Sequence, residues 1–569
     1  MKDYLHQIIK TLLAKKVSII VFGFILVSFL INTLHTQFPD EFDNIYGGFL
    51  INQGKLPYTG FFTHHNPGAY YLASIITLIS GRSFVLFRII FSLLLFAFYC
   101  YSYYLLKKHT RQKSLHFFLL YGMFISIGAT YWWGQMLLSE TVVGYLLVPA
   151  FLLIIIKRLH RIRFDKIDIV LISILSFFSL FISLTYIYLI PFVYAVLLYY
   201  YFSDHKPPSI KDIVVPLGII IIPYILFGIY LIVTGSIHEF YFASIYYNVN
   251  YYIYNFPKVG DTFSHNPLRY AISIAKHTSE NFTALLAQIH TFNFDYPFNV
   301  SLALGNVAII IYFLIKREFT LAFLIISMIF YTNARSEPLT SSETDFHATV
   351  YIMITLSLVS YFFFAVKDAI NKKTGDFNHL VLSFIFITTA IYWLFTVIFL
   401  SNKFLDKAYS KYMGLAPLIY DRPQAAQTIN KIVGKDEYFW IGPFELQELL
   451  FIQGKVASKY YWFLPANSRD DKIKSEIRDD LLKNKPKVIV FKKWYSNFGV
   501  KPEDFNGTIV AVLNDHYFQI SDLRKEGLRL KVDVSSERNF NFEDDFYFYK
   551  DKKDEIINLL FEKKLIERI

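Results

Sequence analysis

The chain has 569 residues, of which 54% are hydrophobic and 19% aromatic, with 59 Phe and 43 Tyr. Those proportions exclude an ordinary soluble globular protein and fit a polytopic membrane protein. The formal charge of +11 does not imply a nucleic-acid partner, because the basic residues sit in short clusters between apolar runs, as cytoplasmic loops do.

The N-terminal "MKDYLHQIIKTLLAKK" is basic and leads into an apolar run at 17–34 that lacks a small-residue cleavage motif, so an uncleaved anchor is expected. Further runs long enough to cross hydrocarbon lie at 83–106, 115–131, 141–156, 168–184, 186–202, 213–233, 300–315, 318–333, 348–366 and 378–400, giving about eleven spans. The segment 67–80 is apolar but short and opens with Pro-Gly, which reads as an interfacial or re-entrant helix. With the N-terminus in the cytoplasm, the predicted cytoplasmic loops carry 20 Lys and Arg and the external connections carry 6. That bias predicts a multi-pass plasma-membrane protein with its C-terminus outside. Cys100 is the single cysteine, so intrachain disulfides and Cys-based metal sites are excluded.

After residue 400 the composition changes. Strand-like runs at 437–442 and 486–491 flank a charged amphipathic helix at 467–484. The expectation is a helical membrane domain over 1–400, all-α in class, and a small external α/β domain over 401–569.

The unusual polar residues map to one side of this topology. The first external loop, 35–82, carries Asp40, Glu41, Asp43, His64 and His65, and Glu140 ends the second. The long third loop, 234–299, holds a Tyr-rich stretch at 246–256 that reads first as an aromatic interface belt, followed by "HNPLRY". The fourth ends at His347, and within the spans, apart from Asp168 and Glu318 that begin theirs, Arg88 alone is charged, close to an outer end. A transporter would place charges or broken helices near the midplane. This pattern points instead to chemistry at the external interface.

The stretch "DEFDNIYGGFLINQGKLPYTGFFTHHNPGAYYL" resembles the first external loop of GT-C fold glycosyltransferases that use polyprenyl-phosphate sugars, near the protein O-mannosyltransferases and the lipid A aminoarabinose transferase. The matching elements are Asp40-Glu41, the Gly54-Lys55-Leu56-Pro57-Tyr58 run, His64-His65-Asn66-Pro67, and Tyr70-Tyr71. The likeness continues in the Arg heading "SFVLFRIIF", the acid in "LLSETVV", and the tail "AQTINKIVGKDEYFWIGPFELQELLFIQGKVASKYYWF".

The resemblance implies a GT-C bundle that transfers a monosaccharide from a polyprenyl-phosphate donor to a glycan, lipid or protein acceptor. Such transfer needs a base on the acceptor hydroxyl and positive charge at the departing phosphate. By resemblance Asp40 is the base, with Glu41 beside it and Glu140 as a second acid nearby. Asp43 falls outside the matched motif. His64 and His65 stand where relatives bind lipid phosphate or a divalent metal ion, which His64 would ligate. Some relatives place a Lys there; its absence leaves Arg88, Arg269 or Lys258 for the phosphate, with His347 a further candidate. Without the family, Asp40 and Glu140 also suit the first turns of helices and His347 an interfacial position. The alternatives are a polysaccharide exporter or flippase, and a lipid-linked oligosaccharide polymerase or ligase.

Overall fold

The computed structural model describes residues 18–34, 38–112, 115–205, 209–252, 267–293, 295–332, 340, 346–371, 424–493, 496–497, 499–531 and 541–568. It is mostly helical, with a small sheet unit at the C-terminal end. The helices in order are α1 (Ser18–Ile31), α2 (Pro39–Asn52), α3 (Gly68–Ser80), α4 (Phe84–His109), α5 (His116–Gly128), α6 (Ser139–Leu159), α7 (Lys166–Ile182), α8 (Ile190–Asp204) and α9 (Ile210–Val233). Beyond them come Pro267–His290, Pro297–Ile315, Phe319–Tyr331 and Thr349–Asn371.

Every apolar run read from the sequence is largely helical over its described residues, except 378–400, which lies outside them. Among the described residues, five helices are long and apolar enough to cross a bilayer: α4, α6, α9, Pro297–Ile315 and Phe346–Ala365. The count of eleven is not confirmed: among the described residues several runs break before full length, and 378–400 lies outside them. The runs at 168–184 and 186–202 are separated by a 3-10 turn, Leu184–Tyr188, and α5 ends in another, Ala129–Trp132. α6 is the central helix, buried on all sides along its length from Leu147 through Leu152 to Ile156. α9 is its opposite: Ile221, Ile225 and Leu226 are each about half exposed, the bare apolar surface expected of a helix whose solvent is lipid.

Two of the expected external connections contain helix. Residues 39–52 form one: Pro39 occupies the first turn with Asp40 and Glu41, a combination that favours a helix start. Much of the expected long loop at 234–299 is likewise helical, in the π-helical turn Tyr241–Tyr247 and the helix Pro267–His290.

α2 and α3 lie against each other and run in the same direction, since Asp43 meets Tyr70 and Asn52 meets Ser74 and Thr77. Gly48 makes this approach possible; a Cβ there would sit 2.6 Å from the Ala73 and Ser74 backbone. A parallel pair forces the connection 53–67 back along the roughly 21 Å of a 14-residue helix. The histidine pair is thereby returned toward the level of the first acids.

The C-terminal unit is a five-stranded sheet of order β2-β1-β3-β6-β4. Its strands are β1 (Tyr438–Gly442), β2 (Lys455–Val456), β3 (Val488–Phe491), β4 (Tyr517–Gln519) and β6 (Phe546–Tyr549), while β5 (Leu528–Leu530) pairs with β7 (Ile566–Arg568). β1 is parallel to β2 and β3, and β6 is antiparallel to β3 and β4. The continuous apolar run of β3 suits its central place. The expected helix at 467–484 begins at Asp471, capped by Asp470, and buries Ile473, Ile477 and Leu481 at helical spacing.

The sheet unit packs on α2 and α3. The Phe62 N–H donates to the Lys459 carbonyl (2.9 Å), and Arg82 donates to the carbonyls of Leu450 (2.9 Å) and Ile452. Lys472 pairs with Glu239 at 3.1 Å. The C-terminal unit and the first polar segment therefore share one side of the molecule.

Candidate functional site

The acids of α2 divide by environment. Glu41 is fully buried, and both its oxygens accept from the equally buried Arg88, the Nε bond being 2.6 Å. The Leu137 N–H adds a third bond at 3.3 Å, and Asn44 Nδ2 donates to the Leu137 carbonyl at 2.9 Å. Bidentate pairing of this kind fixes orientation as well as charge. Glu41 and Arg88 expose no surface, so the structure makes them a clamp between α2, α4 and the segment before α6. The expectation of Glu41 as a catalytic acid and Arg88 as a phosphate ligand gives way to that role, for an acid in an apolar interior needs a cation beside it.

Asp40 is only partly buried, in the first turn of α2. Glu140 is also partly buried, in the first turn of α6, three residues beyond the pinned Leu137, with Tyr186 in electrostatic reach. The clamp thus brings two helix N-termini, each bearing an acid, to one end of the bundle. Phe38, Trp133 and Phe346 close around the same place with ring centroids 4.8 to 5.8 Å apart, and His347 stacks on Phe346 at 4.0 Å. Three sequence-distant segments meet there.

Arg269 is exposed in the first turn of Pro267–His290. That helix start is tied to the turn carrying Tyr186: the Tyr188 hydroxyl donates to the Pro267 carbonyl at 3.0 Å, and its ring lies 5.8 Å from Tyr270. Lys258 lies outside the described residues.

The returning strap carries the histidines. Its Tyr58 holds φ +71°, uncommon for a non-glycine residue, and donates its hydroxyl to the His65 carbonyl at 3.0 Å. Asn248 Nδ2 donates to the His64 carbonyl (2.8 Å), and Asn66 Nδ2 to that of Leu180 (2.6 Å). The His64 ring lies among His65 (3.9 Å), Tyr252 (4.2 Å) and Trp462 (5.6 Å). These neighbours are aromatic, and among the described residues no group of three or more His, Cys, Asp or Glu is placed to hold a metal ion.

Asp43, outside the matched motif, anchors a network of its own. Asp43 is buried and accepts from the hydroxyls of Tyr70 (2.5 Å) and Tyr461 (2.7 Å). Since Tyr70 donates to Asp43, Thr63 donates to the Tyr70 oxygen (2.6 Å), and Thr63 in turn accepts from the His65 N–H (3.1 Å). Burial pushes the Asp43 carboxyl up to about 6, against the lowering effect of its two tyrosine donors. One turn from Asp40, this network joins α2, α3, the histidine strap and the sheet unit. The only sequence signal was its place three residues after Asp40 on the same helix face.

No family model matches this chain, and no curated protein is significantly similar to it.

Proposed function

We propose that the protein is an integral membrane glycosyltransferase of GT-C architecture, which transfers a monosaccharide from a polyprenyl-phosphate donor to a glycan, lipid or protein acceptor. The observation that carries this reading is the placement of the partly exposed acids Asp40 and Glu140, each in the first turn of its helix, at one end of an apolar helix bundle. The histidine strap and the sheet unit gather on that same side. Asp40 takes the proton of the acceptor hydroxyl. The acceptor oxygen bonds to the anomeric carbon as the bond from that carbon to the phosphate breaks, and the electron pair leaves with the phosphate. Glu140 lies on the acceptor side as the second acid. Arg269, His64, His65 and His347 supply positive charge or donors for the lipid phosphate. The Glu41–Arg88 clamp holds the first turn of α2 in place.

About eleven spans, a cytoplasmic N-terminus and an external sheet unit complete the proposal. The Lys and Arg bias supports the sidedness, and the packing of the sheet unit on α2 and α3 supports placing it beside the reacting end.

The test is transfer by the purified full chain in phospholipid nanodiscs. Labelled sugar should pass from a polyprenyl-phosphate donor, and a nucleotide sugar without lipid carrier should give none. Sustained transfer from the nucleotide sugar alone would overturn the reading.

A further inference from the structure

A cavity of about 470 Å³ opens between the strap and the sheet unit, lined by Lys55 and Thr59 on one side and by Val456 to Lys459, Tyr438, Glu476, Asp479, Asp480 and Asn484 on the other. Its size is that of a small-ligand site, and clefts at the junction of two parts of a chain are a common place for one. What it can hold follows from the state of each polar group.

The charge of Glu476 is already paired: one of its oxygens takes both the Lys459 ammonium at 2.8 Å and the Tyr460 hydroxyl at 2.6 Å. Asp480 accepts from the Ser458 hydroxyl through one oxygen at 2.7 Å, which leaves the other. Asp479 is exposed on the helix surface. Lys55, on the strap, is partly buried, and burial lowers its ammonium pKa. With Glu476 and Lys459 cancelling, two carboxylates face one ammonium, so an anion such as a lipid phosphate is disfavoured. Adjacent helix positions do not face each other, so Asp479 and Asp480 cannot close on a single cation. A neutral ligand rich in hydroxyl groups meets both limits: carboxylate lone pairs accept its O–H groups, Lys55 donates to its oxygens, and Val456, Ala457 and the Tyr438 ring offer an apolar wall.

We propose that this cleft is a saccharide-binding site for neutral sugar units, separate from the Asp40 end and independent of whether the protein transfers sugar. The experiment is saturation-transfer NMR on the full chain in phospholipid nanodiscs, free of sugar detergents, with cellobiose, maltose and N-acetylglucosamine as probes. At least one probe should show saturation transfer. Asp479→Asn with Asp480→Asn should weaken it at least about tenfold, because the carboxylate acceptors are lost while an amide oxygen at position 480 still accepts from Ser458. Lys55→Gln should weaken it less. Asp40→Asn should leave it unchanged, which separates this site from the catalytic reading. The absence of transfer from all three sugars in the wild type, equal signals in the double variant, or loss of the signal on adding inorganic phosphate or calcium would each overturn the proposal.

Discussion

The two ends of α6 solve the problem of buried charge differently. At its C-terminal end Lys157 is paired with Asp168, and Asp168 also belongs to the capping box that starts α7. The cation lies in the last turn of one helix and the acid in the first turn of the next, so each also meets a favourable helix dipole. That end is closed on itself. At the N-terminal end Glu41 and Arg88 make a comparable pair, but further acids gather around it: Asp40, Asp43 and Glu140 all lie within a turn or so of the pinned segment. One buried pair is architecture; the gathering of acids around it is what makes that end a candidate for chemistry.

The largest expected effect tests that gathering. Asp40→Asn keeps the shape of the side chain and its ability to cap a helix while removing the proton acceptor. Turnover should fall roughly 10²–10⁴-fold, with insertion and donor binding retained. Near-normal turnover would leave Asp40 as a helix-start residue only.

Breaking the pairs comes next. Arg88→Met and Lys157→Met each strand a buried acid, at about 3–5 kcal/mol, measured by unfolding in mixed micelles. The ends should then part company. Turnover per folded molecule should survive Lys157→Met, and should drop in Arg88→Met because the clamp positions Asp40. Equal retention in both would remove the link between clamp and chemistry.

How far the sequence discloses this depends on the residue. Apolar runs carry their own signal, so α4, α6 and α9 are legible within a few residues, and so are β1 and β3. α2 does not announce itself as a helix because its buried residues mix polar with apolar, Glu41, Asp43 and Asn44 beside Phe42, Ile45 and Leu50. Glu41, Asp43 and Asn44 point inward to partners that no local pattern names. Pro39 followed by two acids was the available sign of a helix start. Arg88 was singled out as a lone charge in a span, but its partner 47 residues away turns it from ligand to clamp. The Asp43–Tyr461 bond spans 418 positions, and nothing short of the fold announces it.

That bond gives a pH-dependent prediction at the acid-rich end. The folded-state pKa of Asp43 is raised from 3.8 to about 6 by burial. A raised carboxyl favours the folded state while protonated, so its contribution is full below about pH 4 and is lost as pH rises through about 6. Asp43→Asn is neutral throughout and lacks this dependence. The stability of the wild type relative to the variant should fall by up to roughly 3 kcal/mol between pH 4 and 7. A difference flat with pH would mean that Asp43 titrates normally.

The smallest effect belongs to the closed end. Arg158, next to Lys157, pairs with Glu318 at 2.8 Å and lies over the Tyr200 ring at 4.9 Å, but its side chain is 37% exposed and that of Glu318 22%. Ion pairs this open to solvent contribute about 0.2–1 kcal/mol, since water and salt screen the attraction and two long side chains must be ordered. Arg158→Lys keeps the charge but gives up the planar guanidinium that reaches the carboxylate and the ring together. It should therefore lose only a part of that small sum and leave turnover unchanged, while Lys157→Met, one residue away, destabilises several-fold more. If the two substitutions cost the same, burial is not what separates these neighbours, and the contrast between the closed end and the acid-rich end loses its physical basis.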